Sequence, residues 1–103
     1  MADGPVRNGL PAMHPGELLR EDVLPALRRT QAEIARLLGV SRQTLHSILT
    51  ERTPVTPEMA LRLGKLCGKG PELWLALQTK YDLEQLSQTK RSEIDAIPTL
   101  LAE

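Results

Sequence analysis

The stretch "LGVSRQTLHSIL", Leu38–Leu49, decides the fold. A glycine is followed by a serine, and polar residues are then interrupted by apolar ones at helical spacing. Such a pattern is either a plain amphipathic helix behind a tight turn or the reading helix of a DNA-binding unit. A helix-turn-helix sets specific demands. Its first helix needs a small residue where the second crosses closely, and its short turn needs a residue that tolerates positive φ. With Gln31 as position one, Ala35 is fifth, Gly39 ninth, Leu45 fifteenth and Ile48 eighteenth. Ile34, Leu38 and Val40 supply the apolar residues between them. Every slot holds a suitable residue type, which favours the helix-turn-helix over a plain helical hairpin.

Advancing 100° per residue from Ser41, the expected N-cap, turns Leu45, Ile48 and Leu49 toward the core. Gln43, Ser47 and Thr50 then face outward, with Arg42 and His46 on one flank and Thr44 on the other. The N-terminal part of such a helix enters the major groove. There Arg42 can donate to guanine and Gln43 can bridge an adenine edge, each good bidentate pair being worth about 1–3 kcal/mol. His46 and Ser47 can add a base or phosphate contact. Thr30 and Gln31, opening the preceding helix, and Arg52, just after the reading helix, are placed for the phosphate backbone. The candidate DNA-binding set is therefore Gln31, Ser41, Arg42, Gln43, Thr44, His46, Ser47 and Arg52.

Outward from this centre the chain reads as five helices. Residues 1–12, with Gly4, Pro5, Gly9 and Pro11, read as an arm. The first helix starts in "HPGELLREDVL" with His14 as N-cap, Pro15 at the tolerated first position and Glu17 in the first turn. Pro25 is expected to end or kink it. "TQAEIARLLG" carries a capping-box pattern, Thr30 with Glu33, and stops at Gly39. Thr56 caps a fourth helix over "PEMALRLGKLC". A fifth opens at Pro71 and runs to about Ser87, with Leu73, Trp74, Leu77 and Tyr81 as one buried stripe. In the tail, Ile94, Ile97 and Leu100 recur every third residue while Pro98 limits any helix, so a short helix and an extended segment both remain open. The organisation is an arm at 1–12, a helix-turn-helix domain at 13–88 and a tail at 89–103 that is a possible dimer or partner contact.

Composition narrows the function. In a chain of 103 residues, leucine and alanine dominate the apolar set and Phe is absent, which favours an all-α fold. The single Cys67 cannot form an internal disulfide and reads as a small core residue. Two histidines far apart make no metal site, and no Gly-rich phosphate loop is present, so neither an enzyme, a metal nor a cofactor is expected. No apolar run is long enough for a membrane span, and a cytoplasmic protein is the expectation. Trp74 and Tyr81, the only aromatics, share the buried stripe and are not expected to stack on bases.

Net charge is zero, but residues 1–69 carry +3 and residues 70–103 carry −3. One weakly basic unit binds DNA poorly, because affinity depends on phosphate neutralisation. A two-fold dimer, with reading helices about 34 Å apart, meets that need. A homodimer on palindromic operator DNA is therefore expected.

Four stretches taken together resemble a known family: "HPGELLRED" at 14–22, "VSRQTLHSIL" at 40–49, "TPEMALRLGK" at 56–65 and "PELWLALQTKYDL" at 71–83. They are similar to the HigA/VapI branch of the Xre-type helix-turn-helix regulators, over residues 13–86. The resemblance implies a five-helix, lambda-repressor-like DNA-binding fold and dimerisation. It also implies inhibition of a HigB toxin, a RelE-like mRNA endonuclease, together with repression of the protein's own operon. By position, Arg42, Gln43, Thr44 and Ser47 match the groove-facing residues, Gln31 the phosphate contact, and Trp74, Leu77 and Tyr81 the packing residues of the last helix. Ala76 departs from the Asn that members often carry. Arg28 and Arg29 stand where a Gly-containing turn is common. The acidic residues Glu72, Asp82, Glu84, Glu93 and Asp95 suit a basic nuclease, while Ile94, Ile97 and Leu100 suit dimerisation. A solitary regulator of the same fold, without a toxin, shares every feature of the reading helix.

Overall fold

The computed structural model describes residues 11–101. Most of the expected arm, residues 1–10, lies outside the described residues, as do residues 102 and 103. Among the described residues the chain is all-helical, in six helices.

Helix α1 begins as Pro15–Leu18, widens into a π-helical turn over Leu19–Val23 and finishes as Leu24–Leu27. His14 caps it as expected, the Gly16 N–H donating to His14 Nδ1 at 2.9 Å. Pro25 does not end it. The turn before the proline is one residue wider, with the Leu24 N–H reaching the Leu19 carbonyl. That widening shifts the carbonyl the pyrrolidine ring would otherwise strike. The helix runs two residues further, to Leu27, and stops at Arg28, which is in the left-handed region with φ 56° and ψ 41°.

Helix α2, Gln31–Leu38, has the full capping box. The Glu33 N–H donates to Thr30 Oγ1 at 3.0 Å and the Thr30 N–H to Glu33 Oε1 at 3.2 Å. Gly39 closes the helix at φ 77°. This left-handed position is what requires glycine, since a β-carbon would meet only the movable end of Arg62, 2.8 Å from its Nη1. Helix α3, Arg42–Leu49, follows after Ser41, and α4, Pro57–Cys67, is capped by Thr56. Helix α5 runs Glu72–Thr89, slightly beyond the expected end, and α6, Arg91–Asp95, is a short addition to the five expected helices. The tail thus takes a helical turn before Pro98 rather than an extended course.

The core is the predicted one at its centre. Ile34, Ala35 and Leu38 of α2 meet Leu45, Ile48 and Leu49 of α3, all buried. Leu19, Leu63 and Trp74 close around them from α1, α4 and α5. Each such aliphatic side chain contributes about 1.5–3 kcal/mol of transfer free energy. The α5 stripe differs from expectation. Trp74 is buried, Leu77 and Tyr81 are half-buried, and Leu73 is 41% exposed. The second buried position is Gln78, one turn after Trp74. It is held there because its Oε1 accepts the Val55 N–H at 2.7 Å while its Nε2 donates to Asp82 at 2.9 Å. A polar side chain that satisfies a buried backbone donor displaces an apolar one.

Candidate nucleic-acid interface

Ser41 ends the turn with φ −72° and ψ 157°, and its Oγ accepts the Thr44 N–H at 3.0 Å. The same hydroxyl donates to Thr44 Oγ1 at 2.9 Å. Its donor and one of its two acceptor lone pairs thus serve the helix start. With Leu45, Ile48 and Leu49 anchored in the core, Arg42, Gln43, Thr44 and His46 stand exposed on the other side. Ser47 is half-buried and donates to the Gln43 carbonyl at 3.0 Å, so only its lone pairs point outward. Thr50 likewise donates to the His46 carbonyl at 3.0 Å.

Arg52 lies in the loop beyond α3 and is exposed; its backbone N–H donates to the Ser47 carbonyl at 2.9 Å. That bond folds the loop back beside the reading helix. Thr44 and Ser47 line an open cleft of about 380 Å³ together with Thr53, Pro54 and Thr56. Gln31 sits apart from this group, exposed at the first position of α2. Among the described residues neither Arg42 nor Arg52 makes an ion pair. Both cations are therefore exposed without an ion-pair partner among the described residues, as phosphate or base contacts require.

The supports of this face include residues that periodicity did not single out. Arg62 of α4 donates to the Leu38 carbonyl at 2.8 Å and pairs with Glu58 at 2.7 Å, closing the C-terminal end of α2. Arg20 of α1 does the same for α3, donating to the Leu49 carbonyl at 2.6 Å. Cations at helix C-termini were a readable signal only once the pairing of the helices was known. His14, expected as a cap or surface residue, is 3% exposed, with its ring edge-on to Tyr81 at 4.9 Å. Burial lowers its pKa below 6.5, against the opposing pull of Glu51 and Asp82. Cys67 is half-buried, and burial raises its thiol pKa. No group of three or more metal-ligating side chains occurs among the described residues, and no described helix is long and apolar enough to cross a membrane.

Two helices joined by a glycine turn, the second presenting a polar face above an anchored apolar one, define a helix-turn-helix domain. A family model described as a helix-turn-helix domain matches residues 17–77. Virulence-associated protein I of Dichelobacter nodosus is 38% identical over 92 residues, spanning 89% of this chain and 85% of the relative. The solved antitoxin GraA in complex with its operator superposes with a TM-score of 0.82 at 41% identity, over 93% of this chain and 98% of that one. Pseudomonas aeruginosa antitoxin HigA with the higBA promoter does so with a TM-score of 0.80 at 33% identity, over 87% and 99%. The chain belongs to the Xre-type helix-turn-helix family, in its HigA/VapI antitoxin branch.

Proposed function

We propose that this protein is a sequence-specific DNA-binding antitoxin that acts in the cytoplasm. It binds a palindromic operator as a homodimer, represses its own operon and neutralises a HigB-like, RelE-type mRNA endonuclease. The observation that carries the DNA-reading part is the division of α3 into two faces. Leu45, Ile48 and Leu49 are buried, while Arg42 and Gln43 are exposed at the helix N-terminus with no competing ion pair among the described residues. The operator-bound relatives support the same use of the fold. Gln31 and Arg52 then neutralise or hydrogen-bond phosphates on either side of the groove.

The test is a gel shift on the DNA upstream of the protein's own gene. Arg42→Ala with Gln43→Ala removes two side chains that bond base edges, and should lower operator affinity by about 10-fold or more. Affinity should fall steeply as salt rises. Wild-type affinity in the double variant overturns this assignment of the reading residues. For the toxin, the neighbouring gene is co-expressed, scoring growth rescue and co-purification. Absence of both removes the antitoxin activity and leaves a solitary regulator.

The acidic residues offered to a basic toxin are partly engaged already. Glu84 accepts the Ala12 N–H at 2.7 Å, Asp82 accepts from Gln78, and Asp95 pairs loosely with Arg91 at 3.8 Å. The apolar tail residues Ile94, Ile97 and Leu100 are exposed, which supports their use in the homodimer.

A further inference from the structure

Helix α1 packs onto the end of the reading helix and the turn beyond it through the "HPGELLR" stretch. Gly16 packs against Ile48 so closely that a β-carbon would overlap the Ile48 carbonyl. Arg20, one turn further on, donates Nη1 to the Leu49 carbonyl at 2.6 Å and to Glu51 Oε2 at 3.3 Å. His14, at the same helix start, lines a small cleft together with Glu51 and Thr53. Forming α1 itself requires neither of the Arg20 contacts.

The Leu49 carbonyl is one of the last four of α3, which have no partner within a helix. Two residues on, past Thr50, Glu51 takes a left-handed conformation, φ 64°, that disfavours a residue with a β-carbon. The chain reverses sharply there, and the next residue is Arg52. A single guanidinium therefore ties the helix end and the reversal together.

We propose that Arg20 is a positioning residue for DNA reading, holding the Leu49 carbonyl and Glu51 so that α3 keeps its pitch toward the groove. The inference rests on the DNA-binding reading above. Ser41 caps the other end of α3 and Leu45, Ile48 and Leu49 hold its buried face, so loosening the Arg20 anchor allows a small pivot limited by that packing. Bidentate base contacts do not tolerate a pivot, because both hydrogen bonds must align. Phosphate attraction does tolerate it, since it depends on charge and distance more than on angle. Specific and non-specific binding should therefore separate.

The experiment uses the full chain and two duplexes of equal length, one selected by the wild-type protein from a random library and one scrambled. With Arg20→Ala, the Kd for the selected duplex should rise about tenfold, the equivalent of one good bidentate base pairing. The Kd for the scrambled duplex should stay within about twofold. Arg20→Lys should recover the selected duplex to within about threefold, because an ammonium can still donate to the Leu49 carbonyl. Equal weakening on both duplexes that tracks the thermal midpoint overturns the proposal in favour of a general stabilising role. A salt slope reduced by about one on both duplexes overturns it in favour of a direct phosphate contact. Should Arg20→Ala not fold, Arg20→Gln, which retains a neutral donor, is judged on the same duplexes by the same ratio. A wild-type protein that selects no duplex defeats the DNA-binding reading itself. A variant that keeps the wild-type ratio defeats only the role of Arg20.

Discussion

Gly16 lies directly beneath the Ile48 carbonyl, with no room for a β-carbon between α1 and α3. The contact joins the N-terminal stretch "HPGE" to the reading helix and explains why a helix-weakening glycine sits in the first turn of α1. Gly16→Ala must push the two backbones apart and should cost about 1–3 kcal/mol as an overpacking change. Urea denaturation should show the midpoint falling at unchanged slope. An unaltered midpoint would mean that α1 moves away without penalty.

Arg28 offers the opposite change. It ends α1 in the left-handed region, φ 56° and ψ 41°, which costs a residue with a β-carbon about 1–2 kcal/mol. Its side chain is exposed and makes no ion pair among the described residues. Arg28→Gly removes the backbone strain but loses more chain entropy on folding, about 0.5–1 kcal/mol. The net expectation is a gain of roughly 0.5 kcal/mol, seen as a thermal midpoint a few degrees higher. A lower midpoint would show that the arginine side chain has a stabilising partner.

These two positions mark how far the sequence could be read. The core of the helix-turn-helix was legible because its signals are local: Ala35 at the crossing, Gly39 in the turn, Ser41 as cap, and Leu45, Ile48 and Leu49 at helical spacing. The two-faced reading helix followed from the same spacing. Contacts across long sequence separations were not legible. Arg20 to Leu49, Arg62 to Leu38 and Gln78 to Val55 join residues on separate elements, and no periodicity encodes them. That Pro25 would disturb α1 was legible, but the π-helical turn that carries the helix past it was not, since such a turn leaves no compositional mark.

His14 gives stability a defined pH dependence. Burial lowers its folded-state pKa below 6.5, with Arg20 adding to the effect and Glu51, Asp82 and the Thr53 backbone opposing it. The folded state therefore binds fewer protons at this site than the unfolded chain. By linkage, the His14 contribution is fully present above about pH 6.5 and is lost as pH falls toward the lowered folded value. Protonation also removes the Nδ1 lone pair that accepts the Gly16 N–H. Urea midpoints between pH 8 and pH 5 should hold level and then decline. His14→Asn, an uncharged N-cap, should flatten the part of the decline just below pH 6.5. An identical profile in the variant would assign the decline to carboxylates instead.

The last twenty described residues set up the final prediction. From Asp82 to Leu101 no side chain is buried, yet most of them lie in the second half of α5 and in α6. Isolated helices of this length are marginal in water and need an apolar face to pack. Leu86 is 53% exposed, Ile97 63% and Leu100 87%, and Leu83 and Ile94 are also uncovered. A second copy of the chain would cover this face and supply the second reading helix that a neutral protein needs. Leu86→Glu with Ile97→Glu should convert dimer to monomer in sedimentation. It should weaken operator binding about 100-fold or more, because the two reading helices would no longer bind as a linked pair. The core around Trp74 lies on the other part of α5, so the helical signal of residues 15–67 should survive. A double variant that remains dimeric, or a wild type that is monomeric at micromolar concentration, would remove this face from the dimer and return it to a different partner.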